Sequence, residues 1–145
     1  MLKNISPLLT PELLHGLAGM GHGDTVALVD ANFPAARVAR AQHAQLVRLP
    51  GTHTTEVLHA VLQLLPLDDF EPDCAWSMQV VGEPEAVPAP VQEFRHALAT
   101  QGRGIATLER RAFYAQAAQA CLIVQTGDLR RYANLLLCKG VIASD

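Results

Sequence analysis

The first strong pattern is helical. Leu13, Leu14, Leu17 and Met20 recur at three- and four-residue spacing, which is one face of a helix. In front of them, Thr10 supplies an oxygen for the free amides of the first turn, Pro11 suits the first helical position, and Glu12 complements the positive helix end. Gly19 and Gly21 are expected to end this helix. Thr25–Val29 is different in kind: short and apolar after its first residue, it predicts a strand buried on both faces. It runs into Asp30-Ala31-Asn32-Phe33-Pro34, a turn-forming stretch.

The pattern continues in alternation. A strand is predicted at Gln45–Leu49, then a helix capped by Thr54 or Thr55 and running to about Leu65, with Val57, Leu58, Val61, Leu62 and Leu65 on one face. Ala75–Val81 alternates as a strand, and Pro84, Pro88 and Pro90 mark a loop. Val91–Gln101 predicts a helix closed by Gly102 and Gly104. Then come a short strand at Ile105–Leu108, a helix at Phe113–Ala120, a strand at Cys121–Val124, a turn at Gly127-Asp128 and a final strand at Leu135–Ile142. No element is predicted between Pro34 and Gln45, and no repeat or linker is visible. Strands alternating with helices predict one α/β domain over residues 1–145, with a mainly parallel sheet flanked by helices.

Composition narrows the function classes. Half of the 145 residues are apolar and 17% are charged, a globular balance. The net charge of -3, with no run of Lys and Arg, gives no basic field for nucleic acid. Apolar runs such as Leu135-Leu136-Leu137-Cys138 are too short to span a bilayer, and Met1–Pro7 has no leader pattern, so a cytoplasmic protein is expected. The odd, scattered cysteines Cys74, Cys121 and Cys138 predict buried, reduced thiols. No Cys-x-x-Cys or zinc-type spacing appears, so no metal is expected. Glycine-rich nucleotide loops and Gly-x-Ser-x-Gly are also missing from the sequence.

Candidate chemistry gathers in three places. The first is Gly21-His22-Gly23-Asp24, followed across the predicted strand by Asp30. Flanking glycines leave an imidazole accessible, and a residue just past a buried strand stands where sites form in open α/β sheets. Spacing alone equally allows His22 as a polar turn residue and Asp30 as a cap. The strand holds the two at opposite ends, so they meet only if the loop folds back or another chain closes the site. The second place is Arg110 with Phe113 and Tyr114, and the third is Tyr132-Ala133-Asn134. Each offers planar polar groups beside an aromatic wall, as a sugar site needs, and each also fits ordinary packing or a turn. His43 and His53 are expected in polar loops, and His15, His59 and His96 on solvated helix faces.

An ordered set of short motifs goes further. Met1-Leu2-Lys3-x-Ile5-Ser6-Pro7-Leu8, Pro11-Glu12-Leu13-Leu14, Met20-Gly21-His22-Gly23-Asp24, Asp30-Ala31-x-Phe33-Pro34, Leu67-Asp68, Phe113-Tyr114, Thr126-Gly127 and Tyr132-x-Asn134 followed by Lys139-Gly140-Val141 resemble the L-fucose mutarotase / D-ribose pyranase family. The set runs from the first residue almost to the last. Tyr132-Ala133-Asn134 and Leu137-Cys138 lean toward the ribose branch, and Arg110 with Phe113-Tyr114 toward the fucose branch. Arg111 stands where the fucose branch usually has Phe, and Arg37–Gln45 and Glu83–Val91 depart from the family pattern.

The resemblance implies a ring-forming α/β subunit, usually a homodecamer of two pentamers, with its site near a subunit boundary and no metal or cofactor. It implies His22 as general acid/base, Asp68 and Tyr114 as further catalytic groups, and Asp30, Arg110, Tyr132, Asn134 and Met78 as sugar-binding groups. The implied reaction is exchange between the anomers of a reducing monosaccharide, L-fucose first, through the open-chain aldehyde. Imidazole, with an unperturbed pKa of about 6.5, suits that proton traffic. Pyranose/furanose exchange of D-ribose and non-catalytic monosaccharide binding are the competing expectations.

Overall fold

The alternation read from the sequence becomes one sheet with helices on both faces. In the computed structural model, which describes residues 1–144, the strands are β1 (Thr25–Val29), β2 (Gln45–Leu49), β3 (Ala75–Met78), β4 (Ala106–Leu108), β5 (Leu122–Thr126) and β6 (Leu135–Cys138). Their order is β2-β5-β1-β6-β3-β4. β2, β5 and β1 pair in parallel, as do β3 and β4, while β6 runs antiparallel to both of its neighbours. The sheet is therefore mainly parallel, as expected, with β6 as the exception.

Helices α1 (Pro11–Gly19), α3 (Thr54–Leu62) and α4 (Ala89–Ala99) cover one face, where Leu13, Val57, Leu58 and Phe94 pack on Val26, Leu28, Val124, Leu135 and Leu137. Helices α2 (Ala35–Ala41) and α5 (Arg110–Ala117) cover the other, where Val38 and Phe113 meet Ala27, Val29, Ile123 and Leu136. Covering both faces is why β1 and β6 read as unbroken apolar runs: alternate residues face different layers, and both layers are dry. No described helix is long and apolar enough to cross a membrane.

Several boundaries differ from the sequence reading. Thr10 caps α1 by accepting from the Leu13 amide, but Gly19 is the last helical residue, and the extended, buried Met20 ends the helix in place of a glycine. The unpredicted α2 contains a single large apolar side chain, Val38, so it shows no helical period. α3 starts after His53, whose amide donates to Glu56 Oε2 at 2.8 Å, while Thr54 itself is fully buried. α3 also stops at Leu62, short of Leu65. β3 stops at Met78, because the chain turns through Gly82 at φ 79°, a left-handed conformation that suits glycine. α4 begins at Ala89, two residues before Val91.

At the end of the chain, α5 begins at Arg110 because the Glu109 carboxylate accepts from the Arg111 and Ala112 amides. β6 ends at Cys138, where Gly140 passes so close to the Leu67 backbone that no Cβ would fit. The thiols also depart from expectation: all three are free, but only Cys74 is buried, while Cys138 is half-buried and Cys121 exposed.

Candidate active site

The sheet topology concentrates polar side chains at one edge. The carboxyl ends of β1, β3 and β4 and the amino end of the antiparallel β6 all open on the same side. The residues that follow or precede them line a cleft of about 220 Å³: Asp30, Met78, Arg110, Tyr114, Tyr132 and Asn134, joined by Asn32, Phe33, Val81 and Arg131. A crevice at the carboxyl ends of parallel strands is the general location of ligand sites in open α/β sheets.

Asp30 and Asn134 form its polar floor. The Asp30 amide donates to Asn134 Oδ1 at 2.9 Å, and Asn134 Nδ2 donates back to Asp30 Oδ2 at 2.8 Å. The Asn32 amide donates to Asp30 Oδ1 at 2.9 Å. Asp30 is 5% exposed, and burial pushes its carboxyl above the usual range, against the opposing pull of the Asn134 and backbone hydrogen bonds. The negative Asp128 nearby pushes it in the same upward direction. Tyr132 stands over this floor at φ 64°, a conformation that costs a non-glycine residue roughly 1–3 kcal/mol. Its hydroxyl accepts from the Val81 amide at 3.1 Å. Phe33 and Tyr114, stacked at 5.3 Å, supply an aromatic wall, and Arg110 stands at the first position of α5.

His22 and Asp68 stand at the other edge. Gly23, at φ 84°, turns the chain into β1, and its amide donates to the Lys139 carbonyl at 2.9 Å. This turn brings His22 Nε2 to 3.0 Å from Asp68 Oδ1. The Asp68 amide donates to the Cys138 carbonyl, so the end of β6 anchors both halves of the pair. Burial would raise the Asp68 pKa, but the imidazole and the Phe70 and Glu71 amides outweigh it and hold the carboxyl below its ordinary range. An ionised Asp68 only accepts, so Nε2 carries the imidazole proton and Nδ1 is the nitrogen left to exchange one. The imidazole side chain is 47% exposed, and the Phe70 ring lies 5.0 Å from it.

Within one chain, therefore, the expected residues fall into two groups. Asp30, Asn134, Tyr132, Arg110, Met78 and Tyr114 come together in the cleft, and His22 comes together with Asp68. The loop before β1 does not fold back. The six residue steps from Asp24 to Asp30 span about 20 Å of extended chain. Tyr114, expected among the catalytic groups, lies in the same cleft as the residues expected to bind sugar.

Sequence reasoning missed Asn32, Phe33, Val81 and Arg131 as cleft residues, and Phe70 beside the imidazole. Phe33 was visible in the motif after Asp30, but nothing in the sequence marked Val81, which reaches the cleft through the turn after β3. Among the described residues, no cluster of three His, Cys, Asp or Glu side chains has a metal-binding arrangement.

Comparison with known proteins gives this arrangement a lineage. The RbsD / FucU transport protein family matches residues 3–142. The chain belongs to that family. The human protein named fucose mutarotase is 40% identical over 147 residues, covering 98% of this chain and 95% of the relative. A crystal structure of the fucose mutarotase of Streptococcus pneumoniae in complex with L-fucose superposes with a TM-score of 0.89 at 36% identity, covering 98% of this chain and all of that one. Bacillus subtilis RbsD, solved with D-ribose, matches at a TM-score of 0.72 and 19% identity over 99% of this chain and 100% of its own, a likeness of fold alone.

Proposed function

We propose that this family member is a sugar mutarotase, an isomerase that exchanges the anomers of a reducing monosaccharide, with L-fucose as its leading substrate. The observation that carries this reading is the pairing of an ionised-carboxylate–imidazole dyad, His22–Asp68, with a separate polar and aromatic cleft in a chain matching fucose mutarotases at 36–40% identity. Fucose leads over ribose because the ribose-bound relative matches in fold alone.

Mutarotation needs one base to take the proton of the anomeric hydroxyl and one acid to protonate the ring oxygen as the C1–O5 bond opens. The same groups then act in reverse after the aldehyde rotates. In this reading His22 Nδ1 takes the anomeric proton and the imidazolium so formed delivers it to the ring oxygen as the C1–O5 bond breaks, while Asp68 orients the ring and stabilises that imidazolium. Asp30 and Asn134 hold sugar hydroxyls, Arg110 contributes a fork of donors, and Tyr114, Tyr132 and Met78 form the wall around the ring. Protons alone are transferred, so the residues named suffice.

Because one chain holds the dyad and the cleft about 20 Å apart, the reaction requires a neighbouring copy whose dyad faces the cleft. A homo-oligomeric ring, a decamer in the resemblance above, meets that requirement. The cytoplasm suits a protein with an exposed free thiol, Cys121.

A mixing experiment tests the whole reading. His22→Ala and Asp30→Ala variants, each deficient in anomeric exchange by NMR with L-fucose, are unfolded and refolded together. Random assembly restores a both-native site at roughly a quarter of the boundaries, so activity returns. Wild-type protein without exchange activity would leave a sugar-binding protein as the reading. Active wild type with no recovery on mixing would place both residues' function in a single chain.

A further inference from the structure

The cleft owes Tyr132 and Asn134 to the segment Gly127–Asn134, which links β5 to β6. That segment is not regular, and Tyr132 in it holds a positive φ, so something outside its own backbone must fix it. Asp128 does most of this. Its side chain is fully buried, and its Oδ1 accepts from the Arg130 amide at 3.1 Å and Arg130 Nε at 3.0 Å. Its Oδ2 accepts from Arg130 Nη2 at 2.9 Å and from the Thr54 amide, the first of α3, at 3.1 Å. The backbone of the same residue reaches the end of β5 and the Asp30 turn. Its amide donates to Thr126 Oγ1, and its carbonyl accepts from the Ala31 amide at 2.9 Å, next to Asp30. Thr54 then donates through Oγ1 to the carbonyl of Ala133, the residue between Tyr132 and Asn134.

We propose that Asp128 is a positioning residue of the sugar cleft, its carboxylate tying the Tyr132–Asn134 segment to the start of α3 while its backbone holds the Asp30 turn. Arg130 is its clamp, held in turn by Glu93 through bonds of 2.7 and 3.2 Å, and Thr55 bonds the same Glu93 carboxylate. None of these four side chains lines the cleft, so their influence on a sugar is exerted through Tyr132, Asn134 and Asp30. The proposal rests on the mutarotase reading for its kinetic arm and is independent of it for its spectroscopic arm.

Asp128→Asn is the test, because it keeps the shape while removing the charge that holds three Arg130 donors. The expected result is a KM for L-fucose exchange raised on the order of tenfold, the worth of a well-placed hydrogen bond, with kcat little changed because Asp128 bonds Thr54 and Arg130 and neither His22 nor Asp68. Asp128→Glu, which restores the charge, brings KM back toward wild type. The side-chain amide resonances of Asn134, read by NMR without sugar, move in Asp128→Asn and return in Asp128→Glu.

A role confined to stability would lower the melting temperature and leave KM and the Asn134 resonances as in wild type, and that result overturns the proposal. If Asp128→Asn does not fold, Arg130→Gln at a side chain 34% exposed carries the same two readouts, and unchanged KM and resonances there overturn it equally. If wild type exchanges no sugar, the mutarotase reading fails separately, and the Asn134 resonances decide the positioning role alone.

Discussion

At the entry to β1, Asp68 faces one imidazole and two backbone amides; at the exit of the same strand, Asp30 is clasped by an asparagine side chain at the floor of the cleft. Both are buried aspartates, and their pKa values move in opposite directions, down for Asp68 and up for Asp30. The partners explain the difference. Asp68 is held by donors that include an ionisable ring, which favours its charge, whereas Asp30 is held by neutral amides and has the negative Asp128 nearby, so desolvation prevails. One end thus keeps a charge beside an imidazole, the proposed proton carrier, and the other presents directed hydrogen bonds to the cleft.

The comparison is broken most severely by removing His22, the proposed proton carrier. His22→Ala is expected to slow anomeric exchange by roughly a hundredfold to ten-thousandfold, the usual worth of a positioned acid or base. Although the ring is half-exposed in a turn, its loss leaves the buried Asp68 carboxylate with only the Phe70 and Glu71 amides, so a modest fall in melting temperature is expected beside the large loss of rate. NMR exchange rates and melting curves of the same preparation check both statements.

At the other end the balance reverses. Asn134→Ala leaves a buried amide and a buried carboxylate of Asp30 without their partner, which costs about 1–3 kcal/mol of stability. Its kinetic effect is expected in KM, with the pH dependence of kcat preserved. A variant that lost kcat and kept KM would move Asn134 out of the binding set.

Acid gives a smaller separation. The Asp68 pKa is depressed on folding, so its contribution to stability is present above the unfolded value near 3.9 and is lost as pH falls through the folded one. Asp68→Asn should therefore flatten the fall in denaturation midpoint below about pH 4. The sign inverts for Asp30: its ionised form is disfavoured in the fold, and protonation removes that penalty. Carboxyl-carbon NMR should find Asp30 titrating at higher pH than Asp68. The reverse order would mean that the Asn134 clasp outweighs burial.

Much of this architecture was legible in the sequence because it is local. The leucine period and Thr10-Pro11-Glu12 define α1, and the unbroken apolar runs of β1 and β6 report a sheet covered on both faces. α2 was not legible because an alanine-rich segment leaves almost no apolar period. The motif residues of the site were legible as motifs, and so was the separation of His22 from Asp30 by a strand.

Their grouping was not. Asp68 reaches His22 across 46 positions, and Asn134 reaches Asp30 across 104. Both contacts depend on β6 entering the sheet against the direction of its neighbours, which no local spacing encodes. Asp128 read as a turn residue, since its four donors come from a distant helix start and from an arginine two positions on.

That reversed strand also sets where the chain tolerates a change in length. Asn134 immediately precedes β6 and meets Asp30, while Cys138 and Lys139 at its far end receive the Asp68 and Gly23 amides. Four residues thus act as a ruler between the two edges. Inserting or deleting a single residue would disturb both edges at once and would turn Leu135 and Leu137 toward the wrong layer of helices. The exposed loop at Pro84–Ala86, beyond the Gly82 turn and outside the sheet, should accept added residues that β6 cannot.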